Sequence, residues 1–237
     1  MKKIILNGLL ILLVLTGVSV QSQAALSLIG VAYYNESDIN IGTYNLIYDS
    51  DQQLTWLDYT HEIGSYETQM SWANSLNNQG VLTYVFFPGV TVTRAENWRL
   101  PSTMGGLFEY GSDGTTTGGY GITSSEMGYL FHVSLWNLSY IGPDGLEQEG
   151  SGLTNTGPFL NLTGGQYWSG TKYDYASNPE GAWNFYFGVG YQGLTQVGGW
   201  HYAIAVRSGE VSIVPIPGSI SILLIGLIGI LGLGKRQ

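Results

Sequence analysis

Asn97-Trp98-Arg99-Leu100-Pro101-Ser102 is the stretch on which the reading of this chain turns. A large aromatic, a guanidinium, an aliphatic side chain and a proline follow one another in a chain with only eight lysines and arginines. Pro101 fits neither a helix interior nor a central strand, and it holds Leu100 extended. The run is expected to form a rigid corner, with Trp98 in a core and Arg99 tied to a carboxylate or carbonyl.

The composition around that corner is 44% hydrophobic and 11% charged, with 35 glycines and 17 tyrosines, which suits a β-rich, loop-rich exported domain. There is no cysteine, so thiol catalysis and a Cys-ligated zinc are excluded and stability must come from core burial. Lys2, Lys3, Lys235 and Arg236 sit at the two ends, leaving Arg94, Arg99, Lys172 and Arg207 to face all 17 acids. A nucleic-acid binder needs the opposite sign, so nucleic acid is not expected as a partner.

The ends read as export signals. Lys2-Lys3, the apolar run Ile4 to Val20 and Ser22-Gln23-Ala24 have the pattern of a secretory signal over residues 1–24, cleaved after Ala24, which implies the Sec export machinery and signal peptidase as partners. After a mature domain at 25–213, Val214-Pro215-Ile216-Pro217 breaks the chain, and Gly218 to Gly234 follows without a charge before Lys235-Arg236-Gln237. At about 1.5 Å per residue that run gives roughly 25 Å, a short transmembrane helix with a basic stop. The tail, residues 214–237, resembles the PEP-CTERM sorting signal, with Ile216 where that family usually has Glu. The resemblance implies an exosortase-type protease acting near Val214, Pro215 and Pro217, and transient or lasting attachment to the membrane. A plain single-span anchor is the other reading.

Between the ends, Thr43 to Tyr48 and Leu54 to Leu57 read as strands joined by a turn at Asp49-Ser50-Asp51-Gln52-Gln53. An Asp-x-Asp pair can open a calcium loop, but the remaining ligands and glycine are missing, so turn chemistry is expected and no cofactor, calcium included, is supported. Tyr66 to Asn77 carries Met70, Ala73 and Leu76 at helical spacing, with Trp72 at the edge and Gly80 ready to cap. His61-Glu62 starts like a zinc-protease motif, but Ser65 stands where the second histidine belongs. Val81 to Val92 reads as a strand or hairpin broken at Pro88-Gly89, and Gly105 to Gly121 as a surface loop. Ser124 or Ser125 should cap a second helix reaching about Leu135, burying Met127, Leu130 and Phe131, with His132 a packed or surface residue. Gly142-Pro143-Asp144-Gly145 is a turn, and Gln166 to Thr171, Ala182 to Tyr191 and Trp200 to Arg207 are strand-like. Trp183, Phe185 and Phe187 alternate as a half-buried strand does.

Six motifs in order resemble the DUF1566 family, also called the Lcl C-terminal domain: Leu54-Thr55-Trp56-Leu57, the helix near Trp72, Trp98-Arg99-Leu100-Pro101, Tyr167-Trp168-Ser169-Gly170-Thr171, Ala182-Trp183-x-Phe185-x-Phe187 and Ala205-Val206-Arg207. The resemblance spans about residues 40–210. It implies an α+β, C-type-lectin-like domain, with two helices packed on short antiparallel strands and long loops, plus the C-terminal transmembrane helix. It also implies carbohydrate or protein-surface binding at the exterior of a Gram-negative cell, as in adhesins. Trp56, Trp72, Trp98, Trp168 and Trp183 would form the core, each indole N–H seeking a partner, with Arg99, Pro101 and Arg207 around them.

Three functions are compatible with these features. The first is a non-catalytic surface or extracellular-matrix protein that binds exopolysaccharide through loops 105–121, 142–157 and 172–181. Tyr110, Tyr120, Tyr173 and Tyr175 would stack on sugar rings, and Asp113, Asn178 and Glu180 would hydrogen-bond them. The second is a glycan-active enzyme using two of Glu109, Glu126, Glu147 and Glu149, although no hydrolase elbow, zinc motif or phosphate loop is present. The third is an outer-membrane β-barrel, against which the two expected helices and the apolar tail argue.

Overall fold

Three eleven-residue strands, β1 (Leu26–Glu36), β2 (Ile39–Asp49) and β3 (Leu54–Gly64), pair antiparallel in sequence order and start the sheet. This is a computed structural model that describes residues 26–36, 39–173 and 180–214. The β2–β3 turn is closed by Asp49, whose Oδ1 accepts the backbone N–H groups of Asp51 and Gln52, both at 3.1 Å. Helix α1 (Tyr66–Ser75) follows, with Ser65 as N-cap accepting from the Thr68 N–H, and it buries Tyr66, Gln69, Trp72 and Ala73.

The chain then returns to the sheet edge. Strand β4 (Leu82–Phe86) pairs with β1, whereas β5 (Val90–Thr93) pairs with β12 (Glu210–Ile213) in a separate two-stranded sheet. Pro88-Gly89 thus separates two sheets instead of turning a hairpin. The glycine-rich stretch expected as a loop contains two short strands, β6 (Tyr110–Gly111) and β7 (Gly118–Tyr120). Helix α2 (Glu126–Tyr129), capped by Ser125, widens into a π-helical turn over Leu130–Ser134 that brings the Ser134 hydroxyl to 2.6 Å from Asp49 Oδ2. Strands β8 (Gln166–Tyr173), β9 (Gly181–Tyr186), β10 (Tyr191–Gln196) and β11 (His201–Ser208) complete the main sheet. Its order is β4-β1-β2-β3-β11-β8-β9-β10-β7-β6, with β11·β8 and β6·β7 parallel.

The α+β, C-type-lectin-like expectation is therefore wrong. The protein is mostly β, built on a ten-stranded mixed sheet, with helices of ten and four residues as accessories. Periodicity located several strands but not their non-local pairing, and it missed β1, whose alternation is broken by a bulge between Leu28 and Gly30. Among the described residues no helix is long and apolar enough to cross a membrane. The expected transmembrane helix and the cleavage positions Ala24, Pro215 and Pro217 lie outside the described residues. Val214 lies within them, its N–H bonded to the Gly89 carbonyl at 2.9 Å.

Neighbouring residues feed two cores on opposite faces of the sheet, as a period of two requires. Leu46, Leu57 and Ala205 join Trp72, Trp98 and Trp168 under α1, while Ile47, Trp56 and Val206 join Phe131, Phe185 and Phe187 under α2. The sheet is held at its middle by the Trp98–Pro101 corner. Strands β11 and β8 share a single bridge, Tyr202 to Tyr167. Beyond it Arg99 exchanges both backbone hydrogen bonds with Val206 at 2.9 Å, and the Pro101 carbonyl accepts from the Gly170 N–H at 2.7 Å. The approach at Gly170 is close: an added Cβ would lie 3.3 Å from Leu100 Cβ and its carbonyl oxygen.

The Arg99 guanidinium then makes a fork to Glu126, at 2.7 and 2.8 Å, whose Oε2 also accepts the Ser102 N–H at 2.6 Å. Replacing Arg99 by Ala strands a part-buried carboxylate and is expected to cost about 2–3 kcal/mol in urea unfolding. Arg99→Lys should recover less than half, because lysine lacks the planar fork. Arg94→Ala, at an 83% exposed side chain paired at 3.4 Å with Glu210, should cost under about 1 kcal/mol.

Candidate functional site

The register of the sheet brings a row of polar and aromatic side chains onto one face. Gln166 of β8 opposes Tyr186 of β9, Tyr186 opposes Tyr191 of β10, and Tyr191 opposes Tyr120 of β7. Antiparallel partners point to the same side; the row continues the β9 face that carries the buried Ala182 and Asn184, and reaches solvent at Tyr186, which is 40% exposed. The Tyr120 ring contacts Tyr191 edge-on at 5.1 Å and Tyr110 at 6.5 Å. Tyr110 remains 61% exposed. Behind the row, Gln166 Nε2 donates to Asn184 Oδ1 at 2.7 Å and Asn184 Nδ2 to Thr195 Oγ1 at 2.9 Å, giving a fixed polar floor.

A cleft of about 270 Å³ opens on the α2 side, lined among others by Asp113, His132, Asn137, Ser139 and Gln148. Asp113 is exposed and closes an Asx turn onto the N–H and hydroxyl of Thr115, at 3.0 and 2.7 Å, which lowers its carboxyl pKa. The Tyr140 phenol pKa is raised, first by hydrogen bonding to Glu147. Burial pushes the His132 imidazole down to about 4; the carbonyls of Asn137 and Gly190 offset part of this, and Nε2 has no hydrogen-bond partner.

The residues expected to bind ligand divide into three groups. Tyr110 and Tyr120 share one surface, and Asp113 lies in the connection between their strands. Tyr173 is 4% exposed and packs on Trp183 at 5.9 Å, so it belongs to the interior. Glu180 precedes β9 at the end remote from Tyr186, its carbonyl accepting the Val197 N–H. Tyr175 and Asn178 lie outside the described residues. Reasoning from sequence missed Tyr186 and Tyr191; alternation puts Tyr186 on the face opposite Phe185, but both faces of β9 carry buried residues, so periodicity alone does not mark it as exposed.

The expected core residues Trp56, Trp72, Trp98, Trp168 and Trp183 are all buried. Trp98 Nε1 donates to the Tyr84 hydroxyl at 2.8 Å and Trp168 Nε1 to the Gly64 carbonyl at 3.0 Å, but Trp56 and Trp183 leave theirs unpaired. Of the four candidate catalytic carboxylates, Glu126 is engaged by Arg99 and Ser102, while Glu109, Glu147 and Glu149 are exposed. No cluster of three metal-ligating side chains occurs among the described residues.

No protein family, no curated protein and no solved structure matches this chain.

The three histidines add an acid-sensitive term to the stability. His61, His132 and His201 all have pKa values lowered first by burial, so the fold prefers them neutral. Their contribution is complete above the unfolded value near 6.5 and is lost as pH falls through the folded values. Stability should therefore drop between pH 6.5 and 4, and His132→Gln should flatten that slope by up to about 3 kcal/mol, measured by urea unfolding across the range.

Proposed function

We propose that this protein is an exported, non-catalytic surface or extracellular-matrix protein whose folded domain binds polysaccharide on the tyrosine row of its main sheet. The observation that carries the reading is the alignment of Tyr186, Tyr191 and Tyr120 by strand register, continued by the ring contact to Tyr110. Aromatic faces mounted on paired strands lose little conformational freedom on binding, and sugar rings present apolar C–H faces to them. Gln166 and Thr195, part-exposed and held by the buried Asn184, supply hydrogen-bonding groups beside the row.

The export reading rests on the leader and tail patterns of the sequence. Glycosidase chemistry draws less support, since Glu126 is committed to Arg99. The barrel alternative draws less as well, because the main sheet is open at β4 and β6 and both its faces carry buried clusters.

Tyr120→Ala and Tyr191→Ala should each weaken binding to polysaccharide from the producing cells about tenfold in sedimentation or affinity electrophoresis, with the unfolding midpoint little changed. Full-strength binding by the double variant would overturn the site.

A further inference from the structure

Among the described aromatic side chains Trp200 is the most exposed, at 69%. An exposed tryptophan with no core to fill is notable here because its loop is firmly held. Val197 is fixed from both sides, its carbonyl accepting the Tyr66 N–H at 3.0 Å and its N–H donating to the Glu180 carbonyl at 2.8 Å. One residue beyond Trp200, the His201 carbonyl accepts Gln69 Nε2 at 2.9 Å. The backbone on both sides of Trp200 is therefore anchored.

Trp200 forms one wall of a groove of about 380 Å³, lined also by Ile63, Gln166, Tyr186, His201 and Tyr202. Backbone at Gly164 and Gly165 contributes the rest of the lining. A side chain at Gly165 would collide with the Tyr202 ring, and one at Gly188 would come within 2.7 Å of the Tyr186 ring, so glycines let both rings lie against the main chain. His201 Nε2 is buried without a partner. None of the groove's side chains is an acid, a lysine or an arginine.

Two of these residues, Gln166 and Tyr186, are also the first members of the tyrosine row. From β8 through β9, β10 and β7 to β6 is four strand steps, about 19 Å at the usual inter-strand spacing. We infer that the Trp200 groove and the tyrosine row are the two ends of one track for a single uncharged, linear polysaccharide chain, laid across the strands with a sugar ring held against Trp200. The inference rests on the polysaccharide reading above and adds to it the charge class, the polymer direction and the far subsite. Charge decides the class: the row and groove carry no cation, and the chain's net charge of −9 repels a polyanion.

The test is calorimetry on the full chain in zwitterionic detergent, which offers no sugar headgroup. The probes are neutral oligosaccharide series (β-1,4-glucan, β-1,3-glucan, α-1,4-glucan and β-1,4-mannan) and a polygalacturonate series, each of two to six rings. The expected result is that a neutral series binds and tightens with each ring up to four or five. Trp200→Ala should leave the short members unchanged, abolish the gain from the longer ones by about tenfold, and leave Tm unchanged. Tyr110→Ala should likewise remove length dependence from the other end. If binding through the tyrosines persists but Trp200→Ala has no effect, or the acidic series binds more tightly, the track fails while the tyrosine site stands. If neither the neutral series nor the acidic one binds the wild-type chain, both fail.

Discussion

The molecule depends on a corner that behaves as a missing piece of strand. Strands β11 and β8 meet at one parallel bridge and would otherwise leave the sheet as two halves. Residues 98–101 fill the gap, bonding to Val206 on one side and Gly170 on the other. Proline suits the place because its carbonyl is used and an N–H is not required. The side chains secure the wedge in three directions: Asn77 holds both Trp98 backbone groups at 2.7 and 3.0 Å, Arg99 holds Glu126, and the Trp98 indole meets Tyr84. Arg207, 6% exposed, is sandwiched between the Tyr84 and Trp98 rings at 4.6 and 4.8 Å, with no carboxylate in ion-pair range among the described residues. Burial lowers its pKa, yet the two ring faces, worth up to about 2 kcal/mol when water is excluded, replace the usual anion.

What the wedge joins, α1 clamps. Gln69 donates from its amide nitrogen to the carbonyls of Glu62 and His201, at 2.5 and 2.9 Å, and its Oε1 accepts from the His61 Nδ1–H at 2.6 Å. The ends of β3 and β11 are thereby locked beside the loop that carries Trp200. The exposed aromatic surface is thus an extension of a rigid frame, and association with a chain-like ligand would not have to order it first.

Much of this was legible in the sequence. The Trp98–Pro101 corner, the α1 helix, the strands around Tyr48, Trp56, Trp168 and Val206, and the Ser125 cap follow from proline geometry, periodicity and capping. The architecture was not, because pairing between distant strands leaves no local signature. Gly118 and Gly119 illustrate the difficulty: they look like loop, but a side chain at either would collide with Phe108 or the Gly111 backbone, so they are strand residues in tight contact. The site was half visible. Tyr110 and Tyr120 stood out as aromatics in a glycine-rich run, but Tyr173 alternates inward, and Tyr191 joins them only through the β10–β7 register. Trp200 opens a strand-like run in the sequence, although Gly198-Gly199 before it signals a tight, exposed turn.

Saturation-transfer NMR on the protein with polysaccharide from its own cells addresses the central claim most directly. The account predicts transfer to the rings of Tyr110, Tyr120, Tyr191, Tyr186 and Trp200 and none to Trp136, which is 63% exposed but does not belong to the row or line the groove. Transfer centred on Trp136, or absent from the tyrosine row at saturating ligand, would contradict it.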